Sequence, residues 1–377
     1  MVANFNPFVV YGHIPENLFC DREKESERLL SFLNNQQNVV LSAVRRMGKS
    51  KLIEHVFERP EIADNYITIS IDILDTNSLG EFVFSLGNAV FDRVARKSAK
   101  LLKQFALTLK SIQASFGYDP IQNTPTFDIK LGELTQPVYT LKEIFDYLDK
   151  ADKRCLVVID EFQQITNYPE KNVEATLRTY MQQTHNVNFV FAGSQRRIMS
   201  EMFGSEKRPF YNSARGIDMD AIPLEVYTDF VQRLFRENGK DIETEAIAYV
   251  YDQFKGVTLY NQQIMNDAFA ATPQNEKCDR PTVEVLVDNF VQENDKRIRE
   301  ILQFVSDNQK AVLYAICEDE PIKAITSGAF TKKHHLKSAS STQNAVKALL
   351  RADLITRHDG MYSVSDPLLD LWLKKRV

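Results

Sequence analysis

Lys49 and Ser50 stand directly behind Gly48, and Asp160 and Glu161 stand together far along the chain. An ammonium, a hydroxyl and two carboxylates are the groups needed to hold a polyphosphate with a hard divalent cation and to activate a water. Each pair has flanks that suit this chemistry. Val39, Val40 and Leu41 form a short apolar run of the kind that makes a buried strand, and KLIEHVFE after Ser50 is compatible with a helix. Strand, turn, Gly-Lys-Ser and helix is the setting of a phosphate-binding loop, because a helix N-terminus carries unpaired N–H groups and partial positive charge. Lys49 would reach the β- and γ-phosphates of ATP, and the Ser50 hydroxyl would ligate Mg²⁺. Arg45, Arg46, Met47, Gly48 and Lys51 complete the candidate ATP-binding stretch. The usual pattern GxxxxGK[ST] would place a Gly at position 43, where this chain has Ala43. A plain glycine turn is the competing reading.

Residues 155 to 161 read CLVVIDE, five apolar positions followed by two acids. A fully apolar run ending in carboxylates fits a central parallel strand whose C-terminal tip opens at a site. Asp160 would hold Mg²⁺ through water, and Glu161 would polarise the attacking water as general base. Two acids capping the next helix would look the same in isolation. Together with Gly-Lys-Ser they make a Walker A and Walker B set.

A third strand, Asn188 to Ala192, ends at Gly193 and Ser194, where a polar side chain could sense the γ-phosphate. A turn serine is the alternative. Beyond it, RPFYNSARGIDMDAIPLE places Arg215 just before a short strand predicted over Ile217 to Ile222. Arg215 is the candidate arginine for contacting nucleotide across a subunit or domain interface. Arg196, Arg197 and Arg208 compete for the role.

With FCDREKE, AVRRMGKSKLI, VVIDEFQQI, FAGSQRRIM, PFYNSAR and SDPLLDLWL on the page, the chain resembles the prokaryotic ATPases, many of them archaeal, of the STAND/AAA+ branch of P-loop proteins. The likeness spans about residues 10 to 377. It implies an α/β class with a P-loop, AAA+-like parallel sheet that binds ATP, then a small helical lid and a C-terminal winged helix-turn-helix.

The rest of the sequence bounds that picture. A chain of 377 residues exceeds one ordinary core,. The expected division is a P-loop core over 1–223, a lid over 224–300 and a winged-helix domain over 301–377. Hydrophobic residues make up 44% and charged residues 26%, as in soluble globular proteins,. No apolar run approaches the length of a membrane span, and the N-terminus lacks the pattern of a secretory signal. A cytoplasmic protein is the expectation, with Cys20, Cys155, Cys278 and Cys317 as reduced thiols and His334-His335 as polar rather than metal-binding. An amphipathic helix is predicted over 22–35, a strand over Tyr66 to Ile73, and a long helical stretch over 79–113. An irregular insertion follows over 115–137, and further helices over 140–151, 171–185 and 195–203. Four helical patterns after residue 224 make the lid.

At the C-terminus three helical stretches and a hairpin around Asp359-Gly360 spell a winged helix. Residues 305 to 377 hold 11 Lys and Arg against 8 Asp and Glu, a net +3, leaving −8 for the remainder. Lys337, Ser340, Ser341, Gln343, Asn344 and Lys347 could reach base edges and phosphates of duplex DNA. Docking of a protein client is the other use of such a domain. The sequence therefore reads as an ATP-binding protein, a slow Mg²⁺-dependent ATPase acting as a conformational switch. One alternative is a DNA-binding regulator, similar to replication initiators, in which ATP is structural. Another is a defence or signalling switch that forms a homo-oligomer.

Overall fold

The computed structural model describes residues 6–93, 99–111, 115–119, 124–128 and 136–376. Its contacts divide the chain into two compact units, Arg22–Asp220 and a second made of Met1–Asp21 with Ala221–Val377.

The first unit is an α/β layer built by crossover connections. Its elements are α1 (Glu23–Asn34), β1 (Val39–Ala43), α2 (Lys49–Glu58), α3 (Pro60–Ala63), β2 (Tyr66–Asp72), α4 (Leu79–Arg93) and α5 (Ala99–Thr108). There follow β3 (Ser115–Asp119), β4 (Thr124–Asp128), α6 (Pro137–Asp149), β5 (Arg154–Asp160), α7 (Val173–Gln183), β6 (Val187–Gly193), α8 (Arg196–Gly204) and β7 (Arg215–Met219). Five strands form one parallel sheet in the order β2-β5-β6-β1-β7. β1 and β6 are buried at every position, as strands covered on both faces must be,. The core beside them is rich in phenylalanine: Phe162, Phe191, Phe203 and Phe210 pack with ring centroids 4.6 to 5.9 Å apart.

Pairing set two boundaries differently from the local pattern. The strand expected over Ile217 to Ile222 runs instead from Arg215 to Met219, because it follows β1 residue by residue from Val39↔Arg215 to Ala43↔Met219. The expected insertion contains an antiparallel pair, β3 with β4, in register from Ser115↔Asp128. Of the helical stretch expected over 79–113, the described residues are helical over Leu79–Arg93 and Ala99–Thr108, and residues 94–98 lie outside the described residues.

The second unit begins with the N-terminal segment. Phe8 is fully buried against Phe230, Phe235 and Phe269, so residues 6–21 pack with the helical part of the chain and not with the sheet to which the sequence assigned them. That part comprises α9 (Leu224–Glu237), β8 (Asp241–Ile242), α10 (Thr244–Gln253), α11 (Thr258–Ala271), β9 (Lys277–Cys278), α12 (Arg280–Glu293) and α13 (Asp295–Gln303). The winged helix continues in the same unit: α14 (Asp307–Asp319), α15 (Gly328–Lys333), α16 (Ala339–Arg351), the hairpin β10 (Ile355–His358) and β11 (Met361–Val364), and α17 (Pro367–Lys374). A capping box at Ser306 and Gln309 starts α14, and serine caps start α15 and α16,. Asp359 and Gly360 both take positive φ at the hairpin tip, as a turn with two left-handed residues demands,.

A charge cluster joins the turn after α10 to the winged helix. Lys255 reaches Glu320 and Asp370 at 2.7 Å each, and Lys374 reaches the same two carboxylates at 3.2 and 2.9 Å. Asp370 is 1% exposed. Burial pushes its carboxyl up, but hydrogen bonding with Glu320, Lys255 and Lys374 outweighs burial and holds it below the ordinary 3.8,.

Candidate nucleotide site

The parallel strands end together at one edge of the sheet, and the sequence places its reactive residues on those ends. β1 ends at Ala43, a strand residue that is fully buried and aligned with Met219. Its φ is not positive. The loop makes its left-handed turns later, at Arg46 (φ 68°) and Gly48 (φ 90°), so the missing glycine at position 43 costs no strain,. Gly48 then caps α2, whose buried Leu52, Ile53 and Val56 fix the helix against the sheet. The first-turn N–H groups of α2, from Lys49 onward, have no partner within the helix.

Lys49 is 7% exposed, and its ammonium stands 3.9 Å from Glu161 Oε1. The Ser50 hydroxyl donates to Asp160 Oδ2 at 2.8 Å. Thus the two sequence motifs meet in space. Lys51 points away to Glu54, 2.6 Å distant, on the exposed side of the helix. Met47 is buried beneath the loop.

Glu161 is unusually constrained. Its backbone is left-handed (φ 54°), because the next residue, Phe162, turns fully into the core. Its Oε2 accepts from Ser194 Oγ at 2.6 Å and also from Gln163 Nε2. Ser194, 8% exposed at the end of β6, in turn faces Arg45 Nε at 3.4 Å. A line of contacts therefore runs from Arg45 through Ser194 to Glu161. The serine proton is committed to the glutamate.

Two residues at the site were not picked out from sequence. Asp72 ends β2 in register with Asp160. Burial is the main cause that lifts its carboxyl above the ordinary 3.8; the Leu74 N–H pulls it down, and the charges of Asp160 and Glu161 add to the rise,. An acid closing the strand YITISID was the available signal. Gln163 is 3% exposed, and nothing in the sequence around it, EFQQITN, marks a glutamine for burial.

The arginine candidates do not gather here. Arg215 lies at the start of β7, aligned with Val39, the end of β1 remote from the loop, and its guanidinium stacks 5.2 Å over Phe32. Arg196 binds Asp220 at 2.9 Å, Arg197 pairs with Glu201, and Arg208 pairs with Glu174 and Glu201. Each of these side chains thus has a partner of its own within the chain.

Hard oxygen donors suited to Mg²⁺ are present in Ser50 and Asp160, whose atoms already touch, with Asp72 beside them,. Among the described residues no cluster of three metal-type side chains occurs. A set of one hydroxyl and one carboxylate fits an ion completed by phosphate and water.

A parallel sheet with a phosphate loop at the end of β1 and two acids at the end of β5, one strand (β6) away, defines a P-loop ATPase fold. Residues 19–260 match the family described as an ATPase domain predominantly from Archaea, and the chain belongs to that family. Residues 297–375 match the family described as "Probable winged helix domain". Among solved structures the chain is similar to a Walker-type ATPase of Pyrococcus abyssi, with 17% identity, a TM-score of 0.67, and 98% of this chain and 99% of that one covered. It is also similar to the Aeropyrum pernix ORC2 protein, solved as ADPNP–ADP complexes, at 13% identity, TM-score 0.58 and 99% and 98% coverage. The Aeropyrum pernix ORC1 protein, solved in complex with DNA, follows at 11% identity, TM-score 0.53 and 98% and 96% coverage. At these identities the likeness concerns the fold. No curated protein matches the sequence. No helix among the described residues is long and apolar enough to cross a membrane.

Proposed function

We propose that this chain binds ATP with Mg²⁺ at the loop 44–51 and hydrolyses it slowly, the nucleotide acting as a conformational switch. The observation that carries this reading is the meeting of Ser50 with Asp160 and of Lys49 with Glu161 at the same edge of the sheet, where β1 and β5 end on either side of β6. ATP phosphates would take the N–H groups opening α2 and the Lys49 ammonium. Mg²⁺, held by Ser50 and through water by Asp160, would supply charge neutralisation at the phosphates. Once phosphate draws Lys49 to itself, Glu161 Oε1 is released to accept a proton from water, while Oε2 stays occupied. That arrangement gives Glu161 one fixed oxygen and one working oxygen. Arg215 would serve nucleotide only on a second copy of the chain. The test is turnover and binding of ATP by Glu161→Gln: binding retained with hydrolysis lost supports the reading.

A second reading, duplex DNA as partner of the winged helix, draws on one feature. Ser340, Gln343, Asn344 and Lys347 are exposed at helical spacing on α16, with Lys337 before them and Arg357 exposed on the wing. Ser341 is the exception, since its hydroxyl is turned to Asn308. Net +3 corresponds to three or four neutralised phosphates, hence a slope of about −3 in log affinity against log salt. A salt titration of the full chain with mixed-sequence duplex tests it, and no binding at low salt would give the domain to a protein client.

A further inference from the structure

Gln163 carries a cost that its surroundings do not explain. Its side chain is almost fully buried, and its Oε1 is a buried acceptor with no partner. Leaving such an atom unpaired costs about 1–3 kcal/mol, whereas an apolar side chain of the same volume would carry no such penalty. Turning the amide over would not help, because Oε1 would then meet Glu161 Oε2, acceptor against acceptor. The donor orientation toward Glu161 is thus imposed, and the orphaned oxygen is its consequence.

The backbone also makes room for this arrangement. A Cβ at Gly193 would stand 2.5 Å from Gln163 Oε1 and 2.6 Å from Met199 Sδ. Glycine at the end of β6 is therefore what allows Gln163 to lie across the strand. The next residue, Ser194, supplies the second donor to the same carboxylate oxygen. Two donors from two elements converge on Oε2, while Lys49 stands 3.9 Å from Oε1.

We infer that Gln163 is a positioning residue for hydrolysis: with Ser194 it fixes the rotation of the Glu161 carboxylate, so that Oε1 faces the phosphate side of the site. The inference rests on the reading of Glu161 as general base. Carboxylate rotation that is free in the ground state must be frozen at the transition state, so the fixed geometry acts on the chemical step and not on affinity.

The experiment is a double-mutant cycle on the full chain, with ATP turnover, ATP affinity and thermal stability measured for each protein. Gln163→Met is expected to lower kcat by about tenfold, to leave the ATP Kd within about twofold, and to keep or raise Tm. In a Glu161→Gln background the same change should cost nothing further, since residues acting as a unit are not additive. Gln163→Leu is the second variant if the methionine packs poorly. An unchanged kcat in Gln163→Met while Glu161→Gln is inactive overturns this inference alone. So does an equal loss in both backgrounds, which would mark a structural role. Full turnover by Glu161→Gln would overturn both this inference and the reading of Glu161 as base.

Discussion

Ser50 and Asp160 are 110 residues apart in the chain and 2.8 Å apart in the fold. The hydroxyl opens α2 and the carboxylate closes β5, so the contact exists only when both β1 and β5 end at the same edge of the sheet. It is the point at which one motif is read against the other. Ser50→Ala should raise the Mg²⁺ concentration needed for half-maximal hydrolysis by about tenfold, with little change in nucleotide binding measured in chelator. An unchanged Mg²⁺ requirement would remove Ser50 from the ion's ligands.

Glu161→Gln keeps the shape of the side chain but cannot accept a proton. Loss of general-base help typically costs ~10²–10⁴-fold in rate. Phosphate release should fall by that order while ATP affinity is kept. Wild-type turnover would leave Glu161 as a loop residue held by Ser194 and Gln163, with the base elsewhere.

Gly193 is predicted to tolerate no side chain. A methyl group there meets Gln163 and Met199 inside 3 Å, in a strand buried on both faces. Overpacking of this kind costs about 1–3 kcal/mol. Gly193→Ala should lower the urea midpoint and reduce turnover together, because the displaced neighbour is the group that holds Glu161. A variant as stable and active as the parent would show that the two side chains move aside freely.

The cluster of Lys255, Glu320, Asp370 and Lys374 gives a pH-dependent prediction for the second unit. Asp370 is held below its ordinary 3.8, so the stability it brings is present above that pH and is lost as pH falls through its lowered value,. Asp370→Asn should cost about 2 kcal/mol at pH 7, the scale of a hydrogen bond to a charged group. Urea unfolding should show the difference from the parent shrinking below pH 3.8. A gap that stays constant with pH would assign the effect to packing.

Much of this was legible because it is local. An apolar run ending in Asp160-Glu161, and another leading to Gly48-Lys49-Ser50, announce strand ends without knowledge of the partner strand. The winged helix was readable for the same reason, from three helical stretches and an Asp-Gly turn. What could not be read depends on long-range pairing. Phe8 belongs with Phe230, Phe235 and Phe269, and nothing near residue 8 says so. Arg215 was singled out as the residue just before a strand expected over Ile217 to Ile222, but it lies within β7, where its height on the sheet is set by Val39, its partner in β1. Gln163 was hidden because an amide side chain carries no local signal of burial, and it lies 3% exposed between the buried Phe162 and Ile165. The fold was written in periodicity, whereas the fine geometry of Glu161 was written in contacts between β5, β6 and the loop after β5.

The central claim is that the loop ending in Lys49 and Ser50 holds ATP by its phosphates. Calorimetric titration of Lys49→Ala with ATP and Mg²⁺, alongside the parent and with Tm recorded for both, tests it most directly. The account predicts that binding heat falls below detection while Tm of the nucleotide-free protein stays within a few degrees, since Lys49 meets Glu161 only at 3.9 Å,. Equal ATP affinity in Lys49→Ala and the parent would contradict it.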